Sequence, residues 1–142
     1  MSLSDIPGWL REIILARDGG QCRYCRMQQF GQGSPFHIDH VWPRSRGGST
    51  QEDNLALQCP HCSVHKAAKV SGTDSVTGQS VSLFHPLRQQ WSDHFELRPD
   101  GRCIGRDPIG RATVESLAMN RPFPLDARAT QIALGRLLPT PS

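Results

Sequence analysis

Two cysteine pairs, Cys22-Arg-Tyr-Cys25 and Cys59-Pro-His-Cys62, frame a segment in which a carboxylate and an imidazole stand side by side, Asp39 and His40. Four thiolates in two Cys-x-x-Cys pairs can close a tetrahedral zinc site, which would draw together the ends of everything between them. The stretch His37 to Asn54, HIDHVWPRSRGGSTQEDN, then becomes a pinned loop carrying Asp39, His40, Arg44, Arg46, a Gly-Gly turn and an asparagine. An imidazole titrating near neutral pH can move a proton, and a hard carboxylate oxygen beside it can hold a divalent ion. The spacing therefore describes a reaction centre held by a structural metal. Adjacent residues of a regular strand point to opposite faces, so Asp39 and His40 serve one site only where the strand twists or ends. Pro43 and the arginine turn after it supply that ending. His37, two residues before Asp39, could share its face and reads as a supporting or surface histidine. His85 and His94 read as packing or hydrogen-bonding residues.

The elements that must position these residues can be sketched from the chain. Ser4-Asp5-Ile6-Pro7 reads as a helix start, with Trp9, Leu10, Ile13, Ile14 and Ala16 at helical spacing and an end at Gly19-Gly20, just before Cys22. After a glutamine- and glycine-containing loop, Pro35 to Trp42 reads as a strand with Phe36 and Ile38 on one side. Leu55-Ala56-Leu57 leads to the second cysteine pair, and Cys62 to Lys69 reads as a helix. Farther on, Gly72 to Gly78 is turn-rich and Val81 to Phe84 is a candidate strand. Phe95-Glu96-Leu97 and Arg102-Cys103-Ile104 flank a Pro-Asp-Gly turn as a hairpin. Asp107-Pro108 caps a helix through Met119, and a last helix spans about 125 to 138.

Length and charge set the outer limits. The chain has 142 residues and a net charge of +3, consistent with one domain helped by a metal staple. That charge is concentrated: between Cys22 and Lys69 there are six basic residues against three acidic ones. A positive island around the candidate site suits a polyanion better than a membrane. No stretch approaches the roughly 20 apolar residues of a membrane span, and the first residues lack the blocks of a secretory signal, so a cytoplasmic protein is expected. Tightly paired cysteines fit metal-bound thiolates in a reducing compartment, leaving Cys103 as a buried or idle thiol.

Cys-x-x-Cys, Ile38-Asp39-His40-Val41-x-Pro43, Gly47-Gly48, Asp53-Asn54-Leu55 and Cys59-x-x-Cys62 with Lys66 together resemble the HNH endonucleases of the ββα-metal type with a four-cysteine zinc site. Gly72-Thr73-Asp74, Leu83-Phe84-His85-Pro86, Trp91-Ser92-Asp93-His94-Phe95 and Gly110-Arg111-Ala112-Thr113-Val114 resemble the C-terminal part of small stand-alone bacterial HNH proteins. The resemblance implies an α+β fold: a zinc-stapled HNH core at residues 22–69, an N-terminal helix, and a C-terminal extension at 71–142 of short strands and two helices packed on the core.

The resemblance also implies roles. His40 matches the general base, Asp39 a ligand to magnesium or manganese, and Asn54 an orienting asparagine. Arg44, Arg46, Lys66 and Lys69 are candidate contacts to DNA phosphates. In the family the residue after the last zinc cysteine is usually His or Asn and supplies a second ligand to the catalytic ion. Here it is Ser63, a weak neutral donor. Residues on a helix turn by about 100° each, so Ser63 and His65 cannot both face Asp39; the family register favours Ser63, with His65 the alternative ligand. The implied activity is metal-dependent, His40-catalysed DNA hydrolysis. Two other readings stay open, a zinc-stabilised nucleic-acid-binding module that has lost cleavage and an RNA-directed nuclease.

Overall fold

The computed structural model describes residues 6–142. Ser4 and Asp5, expected at the first helix start, lie outside that range. Helix α1, Gly8–Asp18, follows Pro7 and ends at Gly19, whose left-handed backbone (φ 60°) lets its N–H donate to Leu15 O. Leu10 and Ile14 of its apolar set are buried, whereas Trp9 and Ile13 are exposed. Asp18, at the end of α1, is buried and accepts from Leu57 N at 2.9 Å and from Arg23 at 2.7 Å, which locks the helix against the strand pair.

Strand β1, His37–His40, pairs antiparallel with β2, Leu55–Gln58, with Asp39 opposite Ala56 and His40 opposite Leu55. It is shorter than the expected Pro35 to Trp42 because the chain turns at Pro43 into a 3-10 turn, Arg44–Arg46. All four residues of β2 are buried, since it packs between α1 and β1. Helix α2, Pro60–Lys66, starts and ends earlier than expected. Proline occupies its first position, the Cys59 sulfur accepts from Cys62 N, and Ala67 leaves the helix with φ 48°. β1, β2 and α2 form the expected strand-strand-helix order.

The C-terminal half adds two hairpins and three helices. β3, Ser71–Thr73, pairs with β4, Ser80–Ser82; the first of these lies partly in the stretch read as turn, and the second sits a residue ahead of the expected strand. A four-residue helix, α3, Trp91–His94, precedes the hairpin of β5, Phe95–Leu97, and β6, Cys103–Gly105, which matches the expected one. Helix α4, Pro108–Ser116, is capped by Asp107, whose side chain accepts from Gly110 N. It stops before Met119, and α5, Pro122–Ala133, starts and ends earlier than the expected 125–138.

These pieces share one hydrophobic cluster that runs from Ile6, Leu10 and Ile14 through the cysteine pairs to Phe84, Trp91, Phe95, Leu117 and Leu137. Polar side chains reinforce it. Trp91 Nε1 donates to Tyr24 O at 2.7 Å, and Gln131 exchanges hydrogen bonds with the backbone of Gln28 at 2.8 Å each way. Fully buried Arg128 donates to Gly101 O and Met119 O. Burial alone would lower the pKa of this arginine, but the Cys103 and Cys25 sulfurs outweigh it and hold the guanidinium charged. None of the described helices is long and apolar enough to cross a membrane.

Candidate active site and metal centre

The four paired cysteines converge. Their sulfurs lie within 4.8 Å of one another, all four residues are fully buried, and Cys25 and Cys59 Sγ are 3.8 Å apart. A tetrahedral ion with Zn–S bonds of about 2.3 Å requires S–S edges of about 3.8 Å, so the donor set fits zinc. Each pair sits in a tight turn: Cys25 N points at Cys22 Sγ (3.5 Å) and Cys62 N at Cys59 Sγ (3.3 Å). Such amides stabilise thiolate charge. Hydrogen bonds among the sulfurs, led by Cys22, pull the Cys25 thiol down and push those of Cys59 and Cys62 up. Charge shared unequally over four crowded sulfurs is what a dication relieves. Cys103 is separate. Its thiol, pushed up to about 12 by burial, lies 3.5 Å from Cys25 O, a packed and unreactive position.

The chemistry-bearing residues hang on the end of β1. His40 is buried, with Nε2 2.9 Å from Thr50 Oγ1. Asn54 braces the loop between: its side-chain oxygen accepts from Trp42 N at 2.8 Å, and its Nδ2 donates to Trp42 O at 3.0 Å and Ser49 O at 2.8 Å. Its own carbonyl accepts from Val41 N. The loop from Val41 to Ser49 is thus tied at both ends to one amide. Gly48 is required there, because a Cβ would lie 1.8 Å from Trp42 O.

Asp39 reaches α2, where it accepts a hydrogen bond from Ser63 Oγ. His65 turns from the site: its Nδ1 donates to His61 O at 2.8 Å and its ring lies 4.1 Å from that of His61. His37 shares the Asp39 face, with Nδ1 3.3 Å from Ser63 Oγ. Its place two residues before Asp39 was the available sequence signal for this contact. Thr50 carried none, because its partner His40 is ten residues away across an irregular loop.

The four candidate cations separate. Arg44, Arg46 and Lys69 are exposed. Lys66 is 2% exposed and donates to Val41 O at 2.9 Å, which fastens α2 to the end of β1. Burial pulls its pKa down to about 8 against the opposing charge of Asp39. A lysine so placed cannot reach a phosphate at the surface without leaving that carbonyl.

The C-terminal half reaches the same region. His85 and Arg88 line a groove with Trp42, Gly47, Gly48, Ser49, Asp53 and Asn54, and they also border a cavity of about 320 Å³ behind Val41 and Lys66. Trp42 itself is exposed, its indole N–H held by Arg46 O at 3.0 Å.

No curated protein matches the chain. A protein-family model described as HNH endonuclease matches residues 22–69. That span begins with the first zinc cysteine, takes in β1, the braced loop and α2, and ends at Lys69. Residues 22–69, with the four cysteine sulfurs gathered as a zinc site demands, are similar to the HNH endonuclease domain.

Proposed function

We propose that the protein is a metal-dependent endonuclease that hydrolyses phosphodiester bonds of DNA, with His40 as general base. The observation that carries this reading is the braced loop: one asparagine ties both ends of the turn that follows His40, inside a segment matching a nuclease family. In this reading the His40 imidazole, with Nε2 2.9 Å from Thr50 Oγ1, takes the proton from the attacking water. Thr50 fixes the ring, and Asn54 fixes the backbone that carries it. Asp39, with Ser63 beside it, faces the position of the catalytic ion. A magnesium or manganese ion bound there would supply positive charge against the phosphate and the departing 3′ oxygen. Arg44, Arg46 and Lys69 hold the backbone of the nucleic acid on either side, without reading its sequence.

A second reading is favoured by Ser63 itself. A neutral hydroxyl that already donates to Asp39 is a poor metal ligand, and a chain with such a site can retain nucleic-acid binding without cleavage. Plasmid cleavage with magnesium or manganese, run beside His40→Ala, separates the two. The nuclease should cut, and the variant should lose two to four orders of magnitude, roughly a general base's contribution, with zinc content and DNA affinity kept. Tight binding with no cleavage under any divalent ion would leave the binding module; cutting confined to RNA would reassign the substrate.

A further inference from the structure

Asp39 and His37 are alternate residues of one short strand, so their side chains leave β1 on the same face. Both are half-buried, and both converge on a single atom of α2: Ser63 Oγ donates to Asp39 Oδ2 and lies 3.3 Å from His37 Nδ1. The hydroxyl therefore sits between a carboxylate oxygen and an imidazole nitrogen. His65, the other imidazole that the helix could offer, is turned away to His61 O.

We infer that His37 is the second strong protein ligand of the catalytic divalent ion, so that two residues of β1 hold the ion and Ser63 only positions the carboxylate between them. The inference rests on the proposed hydrolytic reading for the ion's purpose, but not for its binding. Cis ligands around a six-coordinate ion of manganese size, with bonds of about 2.1–2.2 Å, stand about 3 Å apart, and His37 Nδ1 and Asp39 Oδ2 already share one hydrogen-bond partner, Ser63 Oγ. An imidazole ligand from the strand also sets what the site prefers. Nitrogen donors favour manganese, cobalt and nickel over magnesium, whereas an all-oxygen site of Asp39, Ser63 and waters suits magnesium.

The test measures metal binding, not turnover. Zinc-loaded His40→Ala protein is titrated by calorimetry with Mn²⁺, Co²⁺ and Mg²⁺, alone and combined with His37→Ala, His37→Gln or Ser63→Ala. Loss of His37 should weaken Mn²⁺ and Co²⁺ binding at least tenfold while Mg²⁺ changes less than threefold, so the Mn²⁺/Mg²⁺ preference collapses. Ser63→Ala should shift all three ions by less than about threefold. His37→Gln, which keeps length and polarity without an imidazole, serves should the alanine variant prove insoluble, and zinc content reports an intact core. Unchanged Mn²⁺ affinity in the His37 variants, equal losses for all ions, or a larger loss from Ser63→Ala would each overturn the assignment. The two ideas fail separately. An uncut plasmid with altered Mn²⁺ binding removes the hydrolytic reading alone, and cleavage with unaltered Mn²⁺ binding removes the His37 ligand alone.

Discussion

Thr50 makes the narrowest claim at the level of single residues, because its hydroxyl lies 2.9 Å from the Nε2 of His40. Thr50→Val keeps the shape and removes the partner, so kcat should fall by roughly tenfold to a hundredfold with DNA affinity unchanged. Ser63→His or Ser63→Asn should raise cleavage at low magnesium by adding a ligand beside Asp39, while His65→Ala should matter little; an abolished activity in His65→Ala would mean that α2 is rotated in solution. Lys66 predicts a pH effect. Its pKa of about 8 in the fold lies below the usual 10.5, so the unfolded chain binds this proton more tightly and stability rises as pH climbs between those values. Lys66→Met should lack that rise, on the order of 2–3 kcal/mol, as read from denaturant melts at pH 7.5 and pH 10. The backbone bonds of Asn54 and the contact of Ser63, rather than His65, with Asp39 follow the register that the family resemblance implied. The place of Lys66 was not legible, because a cation that spends its charge on a backbone carbonyl has the same sequence signature as one that faces solvent.

The braced loop is the element on which the candidate site depends. Gly48→Ala would drive a methyl group into Trp42 O, the acceptor of Asn54 Nδ2. Cleavage should drop by at least tenfold while the four-cysteine site keeps its zinc, and a fully active variant would remove the loop from the mechanism. On the same loop, replacing Arg44 and Arg46 together should weaken binding to many DNA sequences by similar factors and reduce the salt slope by about two units, one for each phosphate contact. An unchanged slope would assign both side chains to the solvated surface. The Gly-Gly turn, the proline stop and the glycine end of α1 were readable, since each follows from a local backbone requirement. Helix ends were read less well: α2 stops at Lys66 because Ala67 adopts a positive φ, a conformation that no residue type at that position announces.

For the whole molecule, the zinc centre and the C-terminal half are physically continuous. Cys25→Ser or Cys59→Ser should lose both the zinc and the fold, since metal binding and folding are one event in a centre buried this deeply. A folded, zinc-free variant by metal analysis and circular dichroism would contradict this. Residues 22–69 were legible because metal spacing and loop chemistry are local patterns. In residues 71–142 the hairpin and the Asp107 cap were readable but the packing was not, because it is done by side chains such as Arg128 and Gln131, which reach carbonyls up to about a hundred positions away and leave no periodic trace.

Each cysteine pair closes its own local turn, while the pairing of β1 with β2 brings the two pairs together. During refolding every chain therefore offers two independent bidentate half-sites before it offers one complete site. Stoichiometric zinc should rescue the most protein. A large excess should fill both halves with separate ions, leave each pair satisfied, and stall the chain as a doubly loaded species that must discard an ion to close. Yield plotted against zinc would then pass through a maximum near one equivalent, a biphasic dose response set by the topology of the staple.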